Sequence, residues 1–162
     1  MQEKWTFRRG QPNLTLSPET EKETQLTKVE VRLLRATLDE HIALDPRIKL
    51  QIASAKVTER IFTNVGFFIS VVIPSEVPAA DPAILSCGAG CATIGFRSSK
   101  KRLPLNSHTL SKDGRLDCLE AVILDDEPWP PRVCWQLLTS PPSDVWINTS
   151  KERDWAKGPL DL

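Results

Sequence analysis

The spacing of apolar residues changes period twice along the chain. From Leu26 it is helical: Leu26, Val29, Leu33 and Ile42 fall near one face, joined by Leu34 and Leu38. Lys28, Arg32, Arg35 and Asp39 fall largely opposite, the signature of a helix with one buried side. Asp45-Pro46 then offers a capping carboxylate followed by proline at a first helical position. Ile48, Ile52 and Ala55 give the second helix one apolar face, ending near Lys56. Two helices joined by a short link form a hairpin that must lay its apolar side on another layer.

That layer is predicted to be a sheet. Val57 to Thr63 alternates loosely, and Asn64-Val65-Gly66 reads as a turn. In the next run Phe67, Ile69, Val71 and Ile73 share one face, while Phe68, Ser70 and Val72 share the other. Apolar residues on both faces predict a central strand. PSEVPAADP then marks a long loop. CATIGFR (91–97) reads as a further strand, and Lys112-Asp113-Gly114 as the turn of a hairpin linking a short strand near His108 to a strand over Arg115–Leu124. No crossover helix separates these strands. The predicted class is α+β: a helical hairpin packed on a mainly antiparallel β-meander sheet. Residues 1–24 read as an N-terminal tail, 25–138 as one α+β domain, and 139–162 as a C-terminal extension.

Charge narrows the function classes. The 162 residues hold 21 Lys and Arg against 21 Asp and Glu, whereas a nucleic-acid binder generally carries a basic excess. Arg97, Lys100, Lys101 and Arg102 form a local basic run, but only Phe96 stands nearby for base stacking. Charges interrupt the opening MQEKWTFRRG where a secretory signal needs an unbroken apolar stretch. No window reaches the roughly 18 apolar residues of a membrane span. These features predict a cytoplasmic protein with no membrane and no nucleic acid among its partners.

The candidate chemistry is sparse. Cys87 and Cys91 stand at C-x3-C spacing without a second pair, so they are weak metal candidates, and Cys118 and Cys134 read as buried hydrophobes. No cofactor is predicted, and the familiar nucleophile and nucleotide motifs are missing. His108 beside Ser107 suggests a dyad only in principle; an exposed histidine is the plainer reading.

The stretch RLDCLEAVILDDEPWPP (115–131) asks the most. Strict alternation puts Leu116, Cys118, Glu120, Val122 and Leu124 on one face, with Glu120 their only charge. If that face is covered, Glu120 either has a raised pKa or pairs with Arg60 or Arg97. It is then a general base, a recognition carboxylate, or a structural ion-pair partner. Asp125, Asp126 and Glu127 follow, with Trp129 between two prolines. A solvated turn is the plainer reading. A docking surface, with acids that steer and an indole that anchors, is the sharper one.

The runs DGRLDCLEAVILDDEPWP (113–130) and KLQIASAKVTERIFTNVGFFISVVIP (49–74) resemble small bacterial proteins of uncharacterised function that carry a D-G-x-L-x-x-L-E turn and strand, an acidic loop and a W-P pair. The resemblance spans residues 28–130. Several such proteins sit near toxin genes and are immunity-like, which implies a binding role and carries over no catalytic residue. The Cys87/Cys91 segment, the Lys-Lys-Arg loop and the Trp-bearing C-terminal region depart from that pattern. Together these readings predict a cytosolic, non-enzymatic binding protein, an immunity protein that masks a toxin with a basic surface. Glu120, Asp125, Asp126, Glu127 and Trp129 are its expected contacts. The alternatives are a small enzyme or ligand-binding domain with a pocket around Glu120, and a zinc-stabilised interaction module.

Overall fold

The computed structural model describes residues 13–16, 24–63, 66–86, 89–96, 105–123 and 145–149, with side chains for 24–63, 66–86, 106–122 and Ile147. The chain is an α+β protein. Its helices are α1 (Lys28–Thr37), α2 (Asp39–Leu44) and α3 (Arg47–Ser54). Its strands are β1 (Asn13–Leu16), β2 (Lys56–Thr63), β3 (Gly66–Val72), β4 (Ala89–Phe96), β5 (Leu105–Lys112), β6 (Arg115–Ile123) and β7 (Val145–Thr149). They form one sheet in the order β1-β2-β3-β6-β5-β4-β7, and every pairing is antiparallel. The sheet is thus two three-strand meanders, β1-β2-β3 and β4-β5-β6, joined at β3 and β6, with β7 added on the outer side of β4. Strands β3 and β6 are apolar enough to stand at the centre. The edge strands β1 and β7 fall within the residues predicted as tail and extension.

Helix α1 opens with a capping box. The Thr27 hydroxyl accepts the Glu30 N–H, and the Glu30 carboxylate accepts the Thr27 N–H. The long first helix expected from the periodicity divides at Leu38, where φ is −106° and ψ is 12°. Just before the break, the Thr37 hydroxyl donates to the Leu33 carbonyl at 2.7 Å and meets the Ser107 hydroxyl on β5 at the same distance. Such back-bonding by a threonine bends helices. Here it turns the chain so that Leu38 still reaches the core with no exposure. At α3 the Asp45 carboxylate accepts the Arg47 N–H, the Arg47 guanidinium and the Asp81 N–H. The Arg47 guanidinium first, and the Asp81 N–H next, hold the Asp45 carboxyl well below the usual carboxylate range.

The helices share one core with one face of the sheet. Val29, Leu33, Leu34, Ile48 and Ile52 pack there with Phe62, Phe67, Ile69, Leu119 and Ala121. At about 25 cal/mol per Å² of apolar surface, each of these side chains larger than alanine contributes roughly 1.5–3 kcal/mol before entropy is counted. The helix-facing layer also holds an ion pair that the sequence reading did not assign. Arg60 donates through Nε to Glu30 Oε1 at 2.8 Å and through a terminal nitrogen to Glu30 Oε2 at 2.9 Å. Both side chains are essentially sealed from solvent. Arg60 also reaches the Gln25 carbonyl.

The proline-rich segment after β3 is a loop as expected, but it is tied down. The Gln51 amide, fully buried, donates to the Pro78 and Gly114 carbonyls and accepts the Leu116 N–H. The Ala80 N–H donates to the Gly114 carbonyl. Gly114 holds φ +73°, and a Cβ there would collide with the Ala80 carbonyl oxygen, so the Asp113-Gly114 turn also serves as the loop's anchor. Among the described residues, no helix is long and apolar enough to cross a membrane.

Candidate functional site

Alternation decides what each face of the sheet presents, and the register shifts on β2 and β6 reset that alternation around the central strands. On β2 the pairing slips between Val57 and Glu59, which puts Val57, Arg60 and Phe62 all on the helix side. On β6 the pairing steps from Ser111↔Leu116 to Leu110↔Cys118. Leu116, Leu119 and Ala121 therefore all point into the core. This corrects the expectation that Leu116 shares a face with Glu120; strict alternation held only from Cys118 onward.

Cys118, Glu120 and Val122 face the side away from the helices, and the register extends each into a row. Ile61, Phe68, Glu120 and His108 stand in line across β2, β3, β6 and β5. A second row runs Glu59, Ser70, Cys118, Leu110, and a third runs Thr63, Gly66, Val122, Asn106. Apart from the buried Gly66, the residues in these rows are half-buried, in contrast to the sealed residues one position along. Directly opposed residues in such a sheet have Cβ atoms roughly 4.5–5.5 Å apart. Glu120 thus has an aromatic neighbour on one side and an imidazole on the other. The Asn106 amide lies 3.4 Å from His108 Nε2.

Arg60 is not the partner of Glu120. It belongs to the opposite face, where Glu30 holds it. The Ser107–His108 dyad also fails geometrically. Ser107 is fully buried on the helix side against Thr37, whereas His108 lies in the outer row. Cys118 is a free thiol. Burial first, and the neighbouring Asp117 and Glu120 charges, push it up to about 11 against a hydrogen bond from the Ile69 backbone. A thiol so placed stays protonated at neutral pH and is a poor nucleophile or metal ligand.

Cys91 lies on β4 and Cys118 on β6, with β5 between them. Two strand spacings of about 4.8 Å alone separate their backbones by roughly 10 Å across the sheet, and the register offsets them further along it. Among the described residues no group of three or more His, Cys, Asp or Glu side chains is placed to hold a metal ion. Cys87, Cys134, Arg97, the Lys100–Arg102 run and the expected contacts Asp125, Asp126, Glu127 and Trp129 lie outside the described residues. β6 ends at Ile123, two positions before Asp125.

His108 is the neighbour of Glu120 that sequence reasoning missed. Counting outward from the Lys112↔Arg115 pair gives His108 opposite Leu119. The bulge shifts the count by one, to Glu120. The signals for Glu30 were legible: Thr27 and Glu30 stand at capping-box spacing just ahead of an apolar run. Compared with known protein families, with curated proteins and with solved structures, the chain matches none.

Proposed function

We propose that the chain is a non-enzymatic protein-binding module of the immunity type, which masks the basic surface of a toxin in the cytoplasm. The observation that carries this reading is the row Ile61–Phe68–Glu120–His108 on the sheet face away from the helices. A broad sheet face suits a macromolecule better than a small ligand, which needs a concave pocket. The row combines apolar area with one carboxylate, the mixture that gives an interface both burial and partner choice. Asp125, Asp126 and Glu127 follow Glu120 in sequence as further acids, and Trp129 follows them as the expected indole contact.

The test uses the product of the gene beside the chain's own, titrated calorimetrically into wild type, Glu120→Lys and the pair Asp125→Lys with Asp126→Lys. The reading expects tight binding by wild type. It expects at least a tenfold loss in Glu120→Lys, about 1.4 kcal/mol. The paired variant should associate more slowly at low salt. Equal binding by all three proteins would remove the acidic face from the account, and absence of binding by wild type would remove the immunity reading.

A further inference from the structure

Glu120 is the one carboxylate in its row, and among the described residues it forms no ion pair and no side-chain hydrogen bond. Arg60, two strands away, is held on the opposite face by Glu30. His108, its register partner on β5, has Nε2 3.4 Å from the Asn106 amide instead. The other described cations of this face are Lys56, opposite Val72, and the Lys112–Arg115 pair. They stand four residues along β3 and β5 from Phe68 and His108, about 13 Å from the Glu120 row. Exposed charges are felt over only roughly 8 Å at physiological salt. Glu59 in the neighbouring row and Asp117 at the β6 bulge add acid, not base. After burial, the Asp117 and Glu120 charges both help to push the Cys118 thiol up.

We infer that the row Phe68–Glu120–His108 is a receptor for an arginine side chain of the partner. This deepens the binding role proposed above and rests on it for the partner's being a protein. The three residues are consecutive across β3, β6 and β5, so an aromatic ring and an imidazole flank the carboxylate at Cβ separations of about 5 Å. Phe68 is half-buried and stands outside the Phe62–Phe67 ring contact of the core. A guanidinium is planar, so it can meet a carboxylate through two N–H groups while lying on an aromatic ring. A lysine ammonium meets the carboxylate only as a point charge. It also sheds water less readily, which matters where the carboxylate is half-buried beside an apolar neighbour. Ile61, next in line beyond Phe68, offers apolar surface for the aliphatic stem of the arginine.

The probe is the end-blocked pentapeptide GLRLG, titrated into the isotope-labelled full chain and followed by amide NMR at about pH 7.5, where a histidine is ordinarily neutral. GLKLG and a peptide with citrulline, the uncharged isostere of arginine, serve as controls. The arginine peptide should bind with roughly millimolar affinity and shift the amides of Phe68, His108 and Glu120. The lysine peptide should bind about threefold more weakly, and the citrulline peptide should not saturate. Phe68→Leu should bring the arginine and lysine peptides to equal affinity, whereas Glu120→Gln should weaken both by at least about fivefold. Equal binding of the two peptides by wild type would overturn the inference. So would saturable citrulline binding, no saturable binding of GLRLG, shifts away from this row, a preference that survives Phe68→Leu, or full affinity in Glu120→Gln. An arginine preference without capture of the neighbouring gene's product would keep this receptor and remove the immunity reading. Capture of that product with no arginine preference would do the reverse.

Discussion

On β6, Leu119 and Glu120 are neighbours in sequence and opposites in duty. Leu119 is fully sealed against the helices in line with Ile69 and Thr109, while Glu120 stands half-buried in line with Phe68 and His108. The helix-facing layer tolerates charge only when every oxygen and nitrogen is matched. Glu30 and Arg60 meet that condition through a bidentate contact, a capping box and the Gln25 carbonyl. The outer layer needs no such closure, because water reaches it. The same strands therefore separate a sealed layer from a half-buried one by side-chain alternation, with the bulges on β2 and β6 fixing which residue falls on which side.

The largest effect that tests this division compares single lysines at those two neighbours. Leu119→Lys buries an unpaired charge in a sealed site and should destabilise by more than about 4 kcal/mol, enough to leave little folded protein. Glu120→Lys should keep its urea midpoint, with stability within about 1 kcal/mol of wild type. Comparable losses in the two variants would erase the distinction between the faces.

Arg60→Met comes next. It strands the Glu30 carboxylate in the core and should cost about 3–5 kcal/mol in urea unfolding. Adding Glu30→Gln removes the orphaned charge while keeping an oxygen for the capping box, so much of the loss should return. Failure of the second substitution to recover stability would mean that packing around Arg60, and not its charge, is what matters.

Gly114→Ala sharpens the comparison at the sheet's end, where the turn anchors the loop on the core side. The methyl group must displace the Ala80 carbonyl from a backbone at positive φ, and the expected cost is about 1–3 kcal/mol. Proteolysis within residues 74–86 should accelerate in step, since the Ala80–Gly114 hydrogen bond is one of the ties on that segment.

Cys118 gives the smallest effect and reports on the outer face directly. Because its folded pKa lies near 11, above the ordinary 9.0, the unfolded chain loses that proton first as pH rises. The stability contribution of the protonated thiol is therefore intact below pH 9 and declines from there towards about 11. Iodoacetamide should label Cys118 in the folded protein more slowly at pH 8 than in urea, and Cys118→Ser should abolish that difference.

The helices, the central strand expected over Phe67–Ile73 and found at Gly66–Val72, and the Asp113-Gly114 hairpin were legible because each rests on a local signal: a 3.6-residue period, apolar residues on both faces, a turn pair. Three features were not. The break at Leu38 depends on a hydroxyl contact between Thr37 and Ser107, 70 residues apart in the chain. The place of Arg60 depends on a bulge that alternation cannot foresee. The pairing of Glu120 with His108 depends on another. In each case a long-range partner or a single inserted residue overrides the local pattern, and for the candidate site that one-residue shift decides which side chains meet.

The most direct test of the divided sheet is an amide NMR titration of the labelled chain with the product of the gene beside its own. The account predicts shifts concentrated at residues 59–61, 68–70, 106–110 and 118–122, with α1 and α3 unmoved. Shifts confined to the helices, with the rows around Glu120 unperturbed, would contradict it.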